Sequence, residues 1–312
     1  MTRGEFLKGA AACGAMAAAG GAALGECAEV PVSRSEFQRE IDDITPDTWD
    51  GYYLRGSDMS PEEVSATRAK YPALGRYEDA FDKVVSEVKA TEVTDRPAVW
   101  FVYNMGFMVK TPKSLFAVDL HHRRAEELAP ILDFALITHN HGDHYTERFY
   151  RAMNNVEKKT VVSNFKDNYG AHFAEKHPGG YTRAVKTFKF GDVRVRTSYV
   201  DHNAYLVDFT TAFEITVGDF VMFHSGDCAS ADKLKPECQT PDLWMFHPFC
   251  GMNAVAGAEA VKPKLAVVAH LNELGHAKDR WRWTWAQGDK AKAKLEAAGF
   301  KAVVPLWGDR IV

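Results

Sequence analysis

The chain has 312 residues, 46% of them hydrophobic, and a formal net charge of −4. That length buries a large core in one big domain or two, and with no long basic run nucleic acid is not an expected partner. Its five cysteines (Cys13, Cys27, Cys228, Cys238 and Cys250) form no Cys-x-x-Cys pair, which argues against a cysteine zinc site and a thioredoxin-type motif. Export would allow two of the last three to bridge, a pairing the spacing leaves open.

Residues 1–8 make a basic start and residues 9–24 a run rich in Ala and Gly, the pattern of an export signal over 1–28. Thr2-Arg3-Gly4-Glu5-Phe6-Leu7-Lys8 resembles the twin-arginine signal, with Gly4 where the second arginine would stand. The expectation is export to the periplasm, against a cytoplasmic enzyme with a loose tail. Large apolar residues are too few there for a membrane span.

Residues 29–95 are rich in charge. Helical spacing in Phe37/Ile41 and in Ala80/Val84/Val88, broken by Pro31, Pro46, Pro61 and Pro72, predicts a helical extension in short pieces that covers the main domain. The catalytic domain is expected over 96–312. It opens with strands at 99–103, 106–110 and 115–119. His121, His122, Arg123 and Arg124 follow as a solvated helix start, with contact to an anionic substrate as the weaker alternative.

The apolar run Phe134-Ala135-Leu136-Ile137 reads as a short buried strand, and 146–156 as a capped helix. Between them stands His139-Asn140-His141-Gly142-Asp143-His144. Residues two apart on an extended loop point the same way, so His139 and His141 can grip one ion together. Gly142 permits a sharp turn that aims Asp143 and His144 at a second ion. Neutral imidazole with carboxylate suits Zn2+, with Mn2+ or Fe2+ as alternatives. A chance cluster of histidines is the bland alternative; four ligand-type residues straight after a buried strand weigh against it.

After a strand at 160–163, His172 and His177 read as surface residues. Val193, Val195 and Thr197 alternate with Arg194 and Arg196, a half-buried strand. Residues 204–209 are expected to form another strand, and 212–217 and 220–225 flank Gly218-Asp219 as a hairpin. His202 and Asp227 close strands in this section. Strands at 241–246 and 264–269 follow, the first running into His247 and the second ending in His270, with a helix at 254–261 between. Trp281, Trp283 and Trp285 recur at every second position; packing beneath the extension is preferred to a floor for an apolar or sugar-like substrate. A helix at 286–298 stops at Gly299, and strands at 301–305 and 309–312 close the chain. Strands then helix, twice over, with every candidate ligand at a strand end, suggest two sheets face to face between outer helices.

The His-x-His-x-Asp-His stretch resembles the signature of the metallo-β-lactamase superfamily. The resemblance covers roughly 98–312 and implies an α/β fold, the αββα four-layer sandwich, here with a helical N-terminal extension. With His202 ahead of a Gly-turn hairpin that ends in Gly226-Asp227, the chain is most similar to the branch of ascorbate-6-phosphate lactonase. By that match His139, His141 and His202 hold one ion, Asp143, His144 and His270 hold the other, and Asp227 bridges both. His276 competes with His270 for the last place. Asp119 would orient a metal-binding histidine, His224 would stand behind the ligands, and His247, Glu273 and His276 would line the pocket.

Ions so held lower the pKa of a shared water from about 15.7 to about 7 and stabilise the oxyanion that its attack creates. Asp143 and Asp227 are the expected catalytic carboxylates, with Asp143 relaying a proton. The implied function is dinuclear metal-dependent hydrolysis of a small-molecule ester, lactone, amide or phosphoester. A phosphodiesterase or phospholipase-type enzyme of the same superfamily is the runner-up. True β-lactamases lack the bridging-type aspartate, and flavo-diiron relatives put a glutamate where Asn140 stands. A non-catalytic metal-binding module is expected to have lost ligands, whereas all seven positions are filled here.

Overall fold

The computed structural model describes residues 33–44, 59–155, 160–162 and 185–312. The export-signal segment 1–28 lies outside these residues, as do His172 and His177. Among the described residues no helix is long and apolar enough to cross a membrane.

Among the described residues three helices precede the sheets: α1 (Arg34–Asp42), α2 (Pro61–Lys70) and α3 (Pro72–Ala90). Pro61 and Pro72 each open a new helix, because the first turn has no use for the missing N–H, and so divide the extension into pieces as expected. Ser60 and Glu63 cap α2 reciprocally. Leu74, Tyr77, Phe81, Val84 and Val88 fall three or four apart on α3 and are all buried, so this helix attaches the extension, packing on the first strand.

The first sheet runs β1 (Ala98–Tyr103), β2 (Gly106–Lys110), β3 (Leu115–Val118), β4 (Phe134–Leu136) and β5 (Thr160–Val162), in that spatial order. Its first three strands pair antiparallel and its last three parallel, with α4 (Glu147–Asn155) in the crossover from β4 to β5. The second sheet comprises β6 (Thr187–Phe190), β7 (Val193–Val200), β8 (Thr210–Val217), β9 (Phe220–His224), β10 (Leu243–Phe246), β11 (Leu265–Val268) and β12 (Ala302–Val303), again in chain order. Strands β6 to β9 form an antiparallel meander and β9 to β12 are parallel. Helix α5 (Ala254–Val261) and helix α6 (Trp285–Ala297) fill the last two crossovers. β1, β9 and β10 are buried at every residue and read as apolar runs, broken in β9 only by its last residue, His224, while β7 largely alternates. One continuous core joins both sheets and the helices, the expected αββα sandwich.

Several local expectations are overturned. Residues 204–209 form turns, not a strand, because the Asn203 Oδ1 accepts from the backbone N–H groups of Tyr205 and Leu206 (2.8 and 2.9 Å). The chain end at 309–312 runs along β1, where Phe101 N donates to Asp309 O (2.8 Å) and Ile311 N to Val99 O (2.7 Å). His121 and His122 are buried, not solvated. The His122 ring stacks on Tyr77 and on Phe81 with centroids 4.0 Å apart in each case. Arg123 and Arg124 both reach the buried Glu78 of α3, at 3.3 and 3.4 Å. This stretch is therefore the seam between extension and domain. Cys228, Cys238 and Cys250 are all free thiols, so no bridge joins them.

Candidate metal centre

Each candidate ligand stands just beyond the end of a strand: the histidine-rich loop after β4, His202 after β7, Asp227 after β9 and His270 after β11. Backbone contacts bring these ends together. Thr211 N donates to Thr138 O, and His270 N donates to Asn104 O, both at 2.8 Å. The ligand atoms of His139, His141 and His202 lie within 4.8 Å of one another, and so do those of Asp143, His144 and His270. Asp227 sits between the two triads: Oδ1 is 3.5 Å from His144 Nε2, and Oδ2 is 3.5 Å from both His202 Nε2 and His270 Nε2. His270 Nε2 is 3.0 Å from Asp143 Oδ2 and His276 Nε2 is 3.9 Å away, so His270 is inside the cluster and His276 at its rim.

The donor chemistry fits divalent cations. His139 Nε2, His144 Nε2, His202 Nε2 and Asp227 Oδ1 are buried without a hydrogen-bond partner. Native interiors seldom leave polar atoms so unless something else satisfies them. The far nitrogens explain the aim. His144 Nδ1–H donates to Asp119 Oδ2 (2.9 Å). Thr138 Oγ1–H donates to the same oxygen (2.7 Å), which leaves Oγ1 to accept from His139 Nδ1–H (3.0 Å). With the proton on Nδ1, each ring turns the Nε2 lone pair into the cluster. Asp119 is fully buried, in a left-handed conformation (φ 44°) just past β3, and also accepts from Thr138 N (2.8 Å).

Residues 104–271, just over half of the chain, match the family described as "Beta-lactamase superfamily domain". The chain belongs to the metallo-β-lactamase superfamily. Several solved structures share its fold. The metallo-β-lactamase fold protein YhfI from Bacillus subtilis is 13% identical with a TM-score of 0.52, the match covering 70% of this chain and 100% of YhfI. Igni18, a metallo hydrolase from Ignicoccus hospitalis, is 16% identical with a TM-score of 0.51, over 69% of this chain and 97% of Igni18. CmlA, a diiron β-hydroxylase from Streptomyces venezuelae, is 13% identical with a TM-score of 0.52, over 87% of this chain and 62% of CmlA. This chain thus spans less than two thirds of CmlA's length. Identities this low establish a shared fold and leave substrate and metal to the site itself.

In this member of the superfamily the turn carrying Asp227 depends on Gly226, which has φ 53°. A Cβ there would lie 2.7 Å from Thr210 Cγ2 and 2.9 Å from Thr138 Cβ, so only glycine lets β9 close against the motif loop. His224 supports the turn from behind: Nδ1 accepts from Gly226 N (3.3 Å) and Nε2–H donates to Met105 O (3.1 Å).

Burial alone would raise the carboxyls of Asp143 and Asp227, but His144 and His270 outweigh it and hold both well below the usual range. The two histidines are raised in return, against the effect of their own burial. His139 and His141 move the other way: burial lowers both, His141 to about 4. In the ion-free protein His139 and His141 are therefore neutral at pH 7, while His144 and His270 favour holding a proton that a cation must displace.

A cavity of about 590 Å³ opens over the cluster. His247 and His276 line it; Glu273 does not. Glu273 is buried behind the wall, accepting from Tyr103 Oη–H (3.0 Å) and lying 3.6 Å from His276 Nδ1. His247 sits deeper than a wall residue, stacked on His270 with centroids 3.9 Å apart and within ligand distance of Asp227 and His270. Sequence reasoning missed Cys250, whose Sγ donates to His202 O (3.0 Å) and groups with His202 and Asp227. It also missed Asn104, whose Nδ2 donates to Asp143 O (2.8 Å). A lone asparagine inside the apolar stretch 99–109 was the available signal. The three tryptophans divide: Trp285 packs on Phe37 of the extension with centroids 4.8 Å apart, but Trp281 and Trp283 line the cavity. A left-handed residue at Trp281 (φ 66°) ends the simple alternation.

Proposed function

We propose that this protein is a dinuclear metal-dependent hydrolase of a small ester, lactone, amide or phosphoester, closest in pattern to the ascorbate-6-phosphate lactonase-like branch. The observation that carries the reading is the convergence of the buried, partnerless Nε2 atoms of His139, His202 and His144 and the Oδ1 of Asp227, which stands between the two triads. Bound divalent ions, Zn2+ or else Mn2+ or Fe2+, supply an acidified water and a polarised scissile bond.

The chain's own residues do the rest. His139, His141 and His202 hold one ion and Asp143, His144 and His270 the other, with Asp227 spanning them. Asp119 and Thr138 lock the rings of His144 and His139 in the ligating tautomer. Asp143 lines the cavity, and its Oδ2 is engaged by His270 Nε2 (3.0 Å) and Asn104 Nδ2 (3.3 Å). In this reading Asp143 is the carboxylate that takes a proton from the attacking water and passes it to the leaving group.

Metal analysis of protein reconstituted with Zn2+, Mn2+ or Fe2+ should give two ions per chain. The loaded protein should turn over a member of a panel of esters, lactones, amides and phosphodiesters. His139→Ala or Asp143→Ala should abolish that turnover. A fully loaded protein inert across the panel would favour a non-catalytic metal-binding module instead.

A further inference from the structure

The wall of the cavity carries information that the metal cluster does not. Among the described residues lining it there is no lysine and no arginine. A substrate that carries phosphate or carboxylate away from the reacting bond needs such a cation, fixed in place, to offset its desolvation. The basic side chains that do line the cavity are imidazoles drawn into or beside the cluster, His141, His202, His247, His270 and His276, and the amides of Asn140 and Asn203 beside them carry no charge.

Three aromatic side chains, Phe249, Trp281 and Trp283, also line the cavity. Phe249 and Trp283 stack with centroids 4.6 Å apart and planes 28° from parallel. Trp281 stands on the rim, 66% exposed, with its carbonyl held by His276 Nδ1–H (3.3 Å) and its ring edge-on to His276. A solvent-facing indole in a left-handed backbone conformation is costly on two counts, and such strain persists where the surroundings enforce it for use. An aromatic wall beside the His/Asp cluster, with no lysine or arginine among the described lining residues, describes a site that takes a flat, uncharged molecule.

We propose that the cavity is a subsite for an uncharged aryl ester, aryl lactone or aryl amide, whose ring stacks against Trp283 and Phe249 beneath Trp281 while its carbonyl reaches the metal cluster. The proposal rests on the hydrolase reading above for the carbonyl, but the ring subsite stands on the aromatic wall alone.

Two measurements separate the parts. In the first, the Zn2+-loaded protein is given phenyl acetate, the same ester bearing a ring phosphate, and ethyl acetate. The neutral aryl ester should have the lowest KM. Trp283→Ala should reduce the aryl-over-alkyl preference in KM about 10-fold, with Trp283→Phe restoring most of it. In the second, acetophenone, which cannot be hydrolysed, is titrated against tryptophan fluorescence. It should quench the wild type, and the quench should shrink in Trp281→Phe and in Trp283→Phe. Trp281→Ala is the companion variant, since a side chain so exposed leaves no hole in the core.

Acetophenone quenching through Trp283 without turnover of any ester, lactone, amide or phosphodiester would leave the subsite standing and overturn the hydrolase reading. Turnover with a preference for the phosphorylated ester, or an aryl-over-alkyl ratio untouched by Trp283→Ala, would overturn the subsite. So would a quench that survives both phenylalanine variants.

Discussion

Asp119 shows how one buried carboxylate can set the chemistry of residues it does not adjoin in sequence. Its two oxygens take hydrogen bonds from Thr138 N, Thr138 Oγ1 and His144 Nδ1, and through Thr138 it also fixes His139. Asp119→Asn replaces one acceptor oxygen by an N–H donor, so either His144 or Thr138 must turn away. Metal affinity, measured by competition with a chromogenic chelator, should fall about 10–100-fold. Unchanged affinity would mean that packing alone aims the rings. Gly226→Ala acts on the next ligand: left-handed strain and the clash with Thr138 and Thr210 should cost about 3 kcal/mol in denaturant melts and loosen the metal. The sequence exposes His139, His141, Asp143 and His144 because they share one loop and advertise each other. Cys250, Asn104 and the depth of His247 stay hidden because their neighbours are supplied by other strands, and Asn104 works partly through its backbone carbonyl.

At the scale of elements, the extension is part of the site's scaffold. Arg282 is buried and spends its whole guanidinium on backbone carbonyls: Nε donates to Glu273 O (3.1 Å), Nη2 to Leu274 O (2.7 Å), and Nη1 to Ile41 O (3.2 Å) and Ile44 O. Gln38 of α1 adds a bond from Nε2 to Asn272 Oδ1 (2.9 Å) and accepts from Trp285 N (3.2 Å). The segment so clasped, 270–285, carries His270, His276, Trp281 and Trp283. Arg282→Ala strands these carbonyls away from water and should cost about 3 kcal/mol. Amide exchange should rise in 33–44 and in 270–285 together, and Arg282→Lys should restore little, because an ammonium cannot fork between two segments. Exchange rising in only one of the two would show that they are held independently. Nothing in the local pattern around Arg282 announces this role; a single arginine between tryptophans reads as surface. The same limit explains His121 and His122, which flank two arginines and look solvated until Tyr77 and Phe81 arrive from α3. Strand positions were legible wherever burial imposed a continuous or alternating pattern, and failed at 204–209, where a side chain of Asn203 satisfies the backbone instead of a neighbouring strand.

Over the whole molecule, the histidines set how stability responds to pH and to metal. Burial holds His121, His122, His139, His224 and His247 below the ordinary imidazole value, and His141 at about 4. Unfolded, these rings take up protons below about pH 6.5; folded, they stay neutral, so stability falls as pH drops through that value. His144 and His270 act in the opposite sense. Burial opposes their charge, but the neighbouring carboxylates of Asp143 and Asp227 outweigh it and raise both. Their contribution is complete below about pH 6.5 and is lost as pH rises through their folded values. Cations bound as proposed would cancel this second limb, since His144 and His270 would have to give up their protons to ligate, and affinity should therefore climb with pH. The difference in melting temperature between metal-loaded and chelator-stripped protein should widen from about pH 6 to about pH 8. At free metal about 100-fold above Kd the stabilisation should be about 2.7 kcal/mol for each ion bound. Calorimetric titration in buffers of different ionisation enthalpy should register proton release on binding at the lower pH. A melting difference that stays constant across this range, with no proton released, would mean that neither His144 nor His270 meets the ion, and the second triad would have to be given up.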